Sequence, residues 1–288
     1  MKASELYRQL EKDFVKPEIK EDWYEQGYIS DFEEYVCDNF KKRSIGLLCD
    51  FADEINKVYT AVFPSDAVLQ KILDDEAQNA MLFLHHPAVW ELGRPSDPER
   101  GFHPISTRLL DKLKERKISL FNFHLPLDNF GEYATSKNLA EAIGITIEKP
   151  FQMHNGALCG IIGQCEQNNI QELNKKAQAA IGHITKLHQY GESKITNKKI
   201  AIVAGGGNDA NVVNDLISEG ASTLITGISV ANRYSAQAHQ LEKSNKINLI
   251  GTSHYSSEKY ACISICQYFK KQNLPANFIP DRPCLLDL

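Results

Sequence analysis

The chain has 288 residues, 42% hydrophobic and 24% charged, enough for one large domain or two of ordinary size around a sizeable core. Its formal net charge of −5 argues against a nucleic-acid-binding surface, which is ordinarily basic. No apolar run approaches the roughly 20 residues of a membrane helix. The opening Met1-Lys2-Ala3-Ser4-Glu5-Leu6 lacks the apolar core of a secretory signal, so a cytoplasmic protein with no membrane partner is expected.

Seven cysteines stand at positions 37, 49, 159, 165, 262, 266 and 284. None forms a C-x-x-C pair, and most sit in apolar text such as Leu48-Cys49 and Leu158-Cys159, which predicts reduced core residues. Cys262 and Cys266, spaced i, i+4, read as a buried stripe on a helix rather than a thiolate site.

Along the chain, Leu6, Leu10 and Phe14 have helical spacing, and a second amphipathic piece is expected from Trp23 to Phe40 ahead of the basic Lys41-Lys42-Arg43. Ile45 to Leu48 and Lys57 to Val62 read as strands. Ser65 is placed to cap a helix through Leu73, with Asp66 in its first turn. Met81-Leu82-Phe83-Leu84 is an unbroken apolar run, the pattern of a strand buried on both faces, and it leads straight into His85-His86-Pro87. The text from Trp90 to Pro104 is loop-like. A helix from Ser106 to about Arg116 precedes a second apolar run, Ile118 to Phe123, which also ends in a histidine, His124-Leu125-Pro126-Leu127-Asp128. A helix near Ser136 to Ile143 closes this half. Lys149-Pro150 reads as the boundary between domains 1–149 and 150–288.

The second half restarts with a strand over Ala157 to Ile162, a helix over Asn169 to Ala180 and a strand over Lys199 to Ala204. The turn Gly205-Gly206-Gly207-Asn208-Asp209 leads to a helix from about Ala210 to Glu219. A strand over Ser222 to Thr226, a helix over Asn232 to Leu241 and a strand over Ile247 to Ile250 follow. Gly251-Thr252-Ser253-His254 then opens a helix to Phe269. The alternation predicts an α/β fold of two similar units, with mixed sheets flanked by helices.

In such sheets ligands bind beyond the carboxyl ends of the strands. One strand end here supplies His85 and His86, a second His124 and Asp128, and a third His254 and Glu258. The last two are spaced i, i+4 at the start of a helix, so they share a face, and Ser253 or Thr252 is placed to cap it. A lone His-His pair is ordinarily a surface or core pair, and His-x-x-x-Glu is common by chance. The weight comes from three such groups, each directly after an apolar strand. Imidazole with carboxylate suits zinc, iron, manganese or nickel. Adjacent strand residues point to opposite sides, which fits two ions sharing carboxylates better than one. A hydrolytic arrangement of this kind has metals roughly 3.5–4 Å apart and an acidified bridging water as nucleophile. His103, His154, His183, His188 and His239 lie in loops or polar contexts and are read as ordinary.

On these residues the chain resembles the Nif-three-like family, also labelled GTP cyclohydrolase type 2 homologs. Leu84-His85-His86-Pro87 is similar to its most distinctive motif. His124-Leu125-Pro126-Leu127-Asp128 resembles its H-T-N-L-D, and Asn138-Leu139-Ala140 its N-x-L-A. Gly205 to Gly207 resembles its glycine turn, Ile225-Thr226-Gly227 its I-T-G, and His254 to Glu258 its H-x-x-x-E. Ser44-Ile45-Gly46-Leu47 is similar to its N-x-G-L, with serine in place of asparagine. The resemblance covers most of the chain and implies the Nif-three-like fold. It implies that His85, His86, Asp128, His254 and Glu258 hold two divalent metal ions (zinc, iron or manganese), with Asp128 and Glu258 bridging. It also implies that His124 stands beside the metals or transfers protons, and that the protein is a homohexamer built as a trimer of dimers. The chain departs from the family at Leu125-Pro126, where Thr-Asn is usual, and at Ile228, where an aspartate often follows T-G.

Gly205-Gly206-Gly207-Asn208-Asp209-Ala210 formally fits a dinucleotide fingerprint. The next strand ends in Ile225-Thr226-Gly227 with no acidic residue for a ribose, so a tight strand-to-helix turn is the better reading and no nucleotide cofactor is expected. There is no P-loop and no G-x-S-x-G. Tyr255 and Lys259 adjoin the His254 helix and are read as packing or solvated residues.

The expected function is a dinuclear-metal-dependent hydrolase acting on a nucleotide or related small molecule through a metal-bound hydroxide. The resemblance puts the attack at C8 of guanine, with release of formate. The rival readings are a dinuclear phosphoesterase and a metal-binding or partner-binding protein without turnover.

Overall fold

The computed structural model describes residues 1–94, 101–195 and 197–288. In chain order the elements begin with helices α1 (Ala3–Phe14) and α2 (Asp38–Arg43), strands β1 (Gly46–Cys49) and β2 (Lys57–Ala61), and helix α3 (Asp66–Asp74). Then come β3 (Ala80–Leu84), β4 (Val89–Trp90), β5 (Phe102–His103), α4 (Thr107–Glu115), β6 (Ile118–Asn122), the single turn α5 (Leu125–Asp128) and α6 (Thr135–Ile143). The middle of the chain forms β7 (Thr146–His154), β8 (Ala157–Gln164), α7 (Ile170–Ile181), β9 (Lys186–His188), β10 (Lys199–Val203) and α8 (Ala210–Ser218). It closes with β11 (Thr223–Thr226), α9 (Ala236–Ser244), β12 (Asn248–Gly251), α10 (His254–Ser264), α11 (Cys266–Lys271) and β13 (Ala276–Phe278). The α/β expectation is met.

Two compact units divide the chain. One comprises Met1–Leu127, Asn155–Ala157 and Cys262–Arg282, the other Asp128–His154, Leu158–Ala261 and Pro283–Leu288. Residues 149 and 150, the expected boundary, lie inside β7.

The sheet of the first unit has the order β1-β6-β3-β2-β13, with β6, β3, β2 and β13 parallel and β1 antiparallel. Every residue of β3 and of β6 is buried, as an apolar run covered on both faces requires. One face carries α3 and α4 through Val68, Leu69, Ile72, Leu109, Leu110 and Leu113. The other carries aromatic rings, with Tyr7 of α1 stacked on Phe121 and Phe269 of α11 edge-on to Phe83. Burying each such apolar side chain contributes roughly 1.5–3 kcal/mol, so the strand ends are firmly held.

The sheet of the second unit has the order β7-β8-β10-β11-β12-β9, with β10, β11 and β12 parallel and flanked by antiparallel β8 and β9. Its two faces pack on α6 and α7 and on α8 and α9 respectively.

Several expectations are corrected. The amphipathic piece from Trp23 to Phe40 is not one helix: a 3-10 turn over Ser30–Tyr35 follows the positive-φ Gly27, and extended Val36 separates it from α2. The helix expected from Asn232 begins only at Ala236. The Asn232 side chain accepts from the backbone N–H groups of Tyr234 and Ser235, holding that stretch as a turn. Pro150 sits in β7, the edge strand, where a missing N–H is tolerated. Asn155 and Gly156, both at positive φ, then turn the chain into β8. The loop read over 90–104 contains part of β4 and β5, and 95–100 lie outside the described residues. No disulfide joins any of the seven cysteines, and Cys49, Cys159, Cys165, Cys262 and Cys266 are buried, as expected.

Ser65 accepts from the N–H of Val68 as the expected cap of α3. Replacing it with alanine is expected to lower the unfolding free energy by about 1 kcal/mol. A denaturant midpoint unchanged from that of the parent chain would contradict this.

Candidate metal centre

In the first unit the functional residues follow from strand register. Parallel pairing of β3 with β6 sets Leu84 opposite Asn122, so the two strands end level and release His85-His86 and His124 side by side. The backbone of the pair is tied down: His85 N–H donates to Ala61 O at 3.1 Å, and His86 N–H to Val62 O at 2.9 Å. The buried Asn122 amide donates to Leu84 O at 3.3 Å and His85 O at 2.7 Å. Beyond β3 the strand pleat has ended, and the His85 and His86 rings approach to 4.4 Å between centroids rather than diverging. His124 joins them at 5.1 and 4.8 Å. One ring nitrogen from each of the three lies within 4.8 Å of the others, a spacing that suits a metal ion.

His85 and His86 are 0% and 1% exposed, so this is not a chance surface pair. His85 Nδ1 stands 3.1 Å from the Phe123 carbonyl, which accepts its proton and leaves Nε2 as the nitrogen with the lone pair. Orientation of one ring nitrogen by a carbonyl is the usual arrangement for a ligating histidine. Phe63 stacks on His86 at 4.8 Å, and Trp23 stands edge-on to His86 at 5.6 Å and His124 at 5.1 Å. His124 Nδ1 meets the Glu21 carboxylate at 3.1 Å. Glu21 and Trp23 escaped the sequence reading because they lie in a charged leader with no strand before them.

In the second unit, β12 ends at Gly251 and α10 starts at His254. Ser253 sits between them at φ +67°, a conformation rarely adopted by serine. Its hydroxyl accepts from Ser256 N–H at 3.3 Å, the expected cap. The Asp287 carboxylate, fully buried, accepts from His254 N–H at 2.8 Å. An acid in the apolar text Leu285-Leu286-Asp287-Leu288 was the available sign of that role. His254 Nε2 and Glu258 Oε1 are 3.1 Å apart, so the i, i+4 pair does share a face.

The glycine turn after β10 packs against this pair. Gly205, at φ +69°, donates its N–H to Ser257 Oγ, and a Cβ there would fall 2.4 Å from Glu258 Oε1 and 3.4 Å from His254 Nε2. The turn thus seats the histidine–carboxylate pair, which explains the glycine without a dinucleotide. Asp128, half-buried, accepts from the Thr135 hydroxyl.

The other histidines have structural partners or face solvent. His103 Nε2 contacts Glu91 O at 2.9 Å, His183 Nε2 the Ser256 hydroxyl at 2.7 Å, and His154 is exposed. His188 and His239 join Tyr190, Asn208 and Glu242 in a polar cluster. Glu242 is 0% exposed, with His239 Nδ1 at 3.4 Å, and burial pushes its carboxyl up to about 8. Lys259 donates to Ile181 O at 2.7 Å and Tyr255 is 5% exposed, in keeping with packing roles.

Each of the two α/β units carries histidines just past the carboxyl ends of parallel strands, among buried groups that could hold a metal ion. The chain belongs to the Duf34/NIF3 (NGG1p interacting factor 3) family, whose profile matches residues 1–282. It is 27% identical over 223 residues to the GTP cyclohydrolase 1 type 2 homolog of Pyrococcus horikoshii, covering 75% of this chain and 80% of that one. To the homolog of the same name from Archaeoglobus fulgidus it is 28% identical over 230 residues, covering 79% and 84%. The fold is that of protein ybgI, of unknown function, with a TM-score of 0.73 at 19% identity over 99% of this chain and 100% of that one. No helix among the described residues is long and apolar enough to cross a membrane.

The buried Glu242 gives a pH test. Its folded pKa of about 8 lies above the usual 4.5, so between those values the unfolded chain releases a proton that the folded chain keeps. Its contribution to stability is full below about 4.5 and is lost as pH rises through about 8. Glu242→Gln is therefore expected to stabilise the protein relative to the parent by an amount that grows across this window. A difference in melting temperature that is flat with pH would contradict it.

Proposed function

We propose that the chain is a dinuclear-metal-dependent hydrolase acting on a nucleotide or related small molecule, with His85, His86, Asp128, His254 and Glu258 holding two divalent ions. The observation that carries this is the buried imidazole cluster. Three histidines with ring nitrogens within 4.8 Å, two of them almost wholly inaccessible, are costly in a core unless something holds them together. The His254–Glu258 pair, seated on Gly205, supplies the second set of donors. Imidazole with carboxylate fits zinc, iron or manganese.

Divalent ions bound there would supply Lewis acidity and a water acidified toward neutral pH. His124, 23% exposed at its side chain and beside His86, would take and return a proton. Phe63 and Trp23 wall the His86 side and restrict bulk water. The names of the curated relatives make GTP the first substrate to try, with opening of the guanine ring at C8 and release of formate. A specific feature favours a second reading, a metal-holding protein without turnover. Leu125 and Pro126 are buried and apolar, and the family's Thr-Asn would have offered polar groups beside Asp128.

Purified protein reconstituted with zinc or manganese is expected to hold two ions per chain and to release formate from GTP. His85→Ala, Asp128→Ala and His254→Ala should each lower metal content and activity at least tenfold, with the circular dichroism spectrum unchanged. Two bound ions with no turnover of GTP or of a phosphate-ester panel would favour the second reading. Unchanged metal content in all three variants would overturn the metal assignment itself.

A further inference from the structure

Glu21 is the feature of the histidine cluster that neither the motifs nor the relatives' names assign. Its side chain is 2% exposed although it lies in the charged leader, and its carboxylate meets three N–H groups. Oε2 accepts from Trp23 Nε1 at 2.5 Å and stands 3.1 Å from His124 Nδ1. Oε1 accepts from the backbone N–H of Leu125 at 2.9 Å. The three contacts fix the carboxylate relative to the first turn after β6 and set Oε2 against the Nδ1 edge of the His124 ring.

A carboxylate accepts and does not donate. The His124 nitrogen facing Glu21 must therefore carry the proton, and the lone pair then lies on Nε2. Histidine in solution prefers the opposite tautomer, with the proton on Nε2. An imidazole backed by a carboxylate is also a stronger base and a stronger ligand at its far nitrogen. The same logic operates at His85, where the Phe123 carbonyl takes the Nδ1 proton. In His85 the partner is a neutral backbone group, whereas in His124 it is a full charge.

We infer that Glu21 is a positioning residue that holds His124 with its proton on Nδ1 and its Nε2 lone pair available to the metal site. The leader is then part of the site rather than a cover over it. Trp23 serves the arrangement twice, donating to Glu21 through its indole N–H while its ring stands over His86 and His124. The tautomer follows from the contacts of this unit alone. Only the consequence for metal affinity rests on the dinuclear reading.

The test is the two-bond proton–nitrogen correlation spectrum of nitrogen-15-labelled, metal-free full-length protein at alkaline pH, with His124 assigned by the loss of its peaks in His124→Gln. The parent protein is expected to show His124 protonated on Nδ1. Glu21→Gln offers one acceptor oxygen to donors on both sides, so whichever way the amide turns its NH2 faces an N–H, and His124 should shift part of the way toward protonation on Nε2. Glu21→Ala should shift His124 toward protonation on Nε2 and weaken zinc binding by roughly 10–100-fold, the usual effect of removing a carboxylate behind a histidine at a metal site. His124 protonated on Nε2 in the parent chain would overturn the inference, as would a tautomer and zinc affinity unchanged in Glu21→Ala. If Glu21→Ala does not fold, the parent and Glu21→Gln spectra still decide the matter. If the parent binds no zinc, the dinuclear reading fails while the tautomer still tests Glu21.

Discussion

The histidine cluster depends on the parallel, in-register pairing of β3 with β6. Leu84 opposite Asn122 makes two buried strands stop at the same level, and the residues that follow are His85-His86 on one and His124 on the other. A slip of one residue would exchange the faces of every side chain in the strand and move aromatic rings out of the core. The core therefore enforces the register, and the register assembles the imidazoles. Asn122 adds a lock of its own, since its amide bonds the His85 and Leu84 carbonyls where the ladder would otherwise fray. A polar side chain so deeply buried is tolerated because these donors are used.

The second unit solves a related problem by different means. Its His254–Glu258 pair sits on a helix rather than across two strands, so the spacing is intrinsic to the helix and only its starting point needs fixing. Three devices fix it: the left-handed Ser253 directly before the helix, the Asp287 carboxylate on the His254 N–H, and the glycine turn that leaves room for Glu258. Each is a local cost in strain or desolvation, of the kind found where position matters more than stability. In both units the buried histidines lie past the carboxyl ends of parallel strands, which is where this class of sheet places ligands.

Much of this was legible in the sequence, for stated physical reasons. Unbroken apolar runs before His85 and His124 gave buried parallel strands, and Ser65 and Ser106 stood ahead of helices that begin at the next residue. The i, i+4 spacing of His254 and Glu258 became a real contact. What escaped was tertiary. Nothing local to Glu21 or Trp23 announces that a leader segment folds onto the histidines, and Asp287 is far from His254 in sequence. β7 was hidden by Pro150, which reads as a break until its edge position is known. His239 reads as an ordinary histidine in a polar context, yet helix α9 turns it inward together with Glu242. Adjacent side chains diverge only within a strand, and His85 and His86 lie just beyond β3, where their rings converge.

Anomalous diffraction from crystals of the protein grown with manganese or zinc tests the proposed centre most directly. The dinuclear assignment predicts two anomalous peaks roughly 3.5–4 Å apart, ligated by His85, His86, Asp128, His254 and Glu258. A single peak, or metal bound elsewhere with these five side chains uncoordinated, would contradict it.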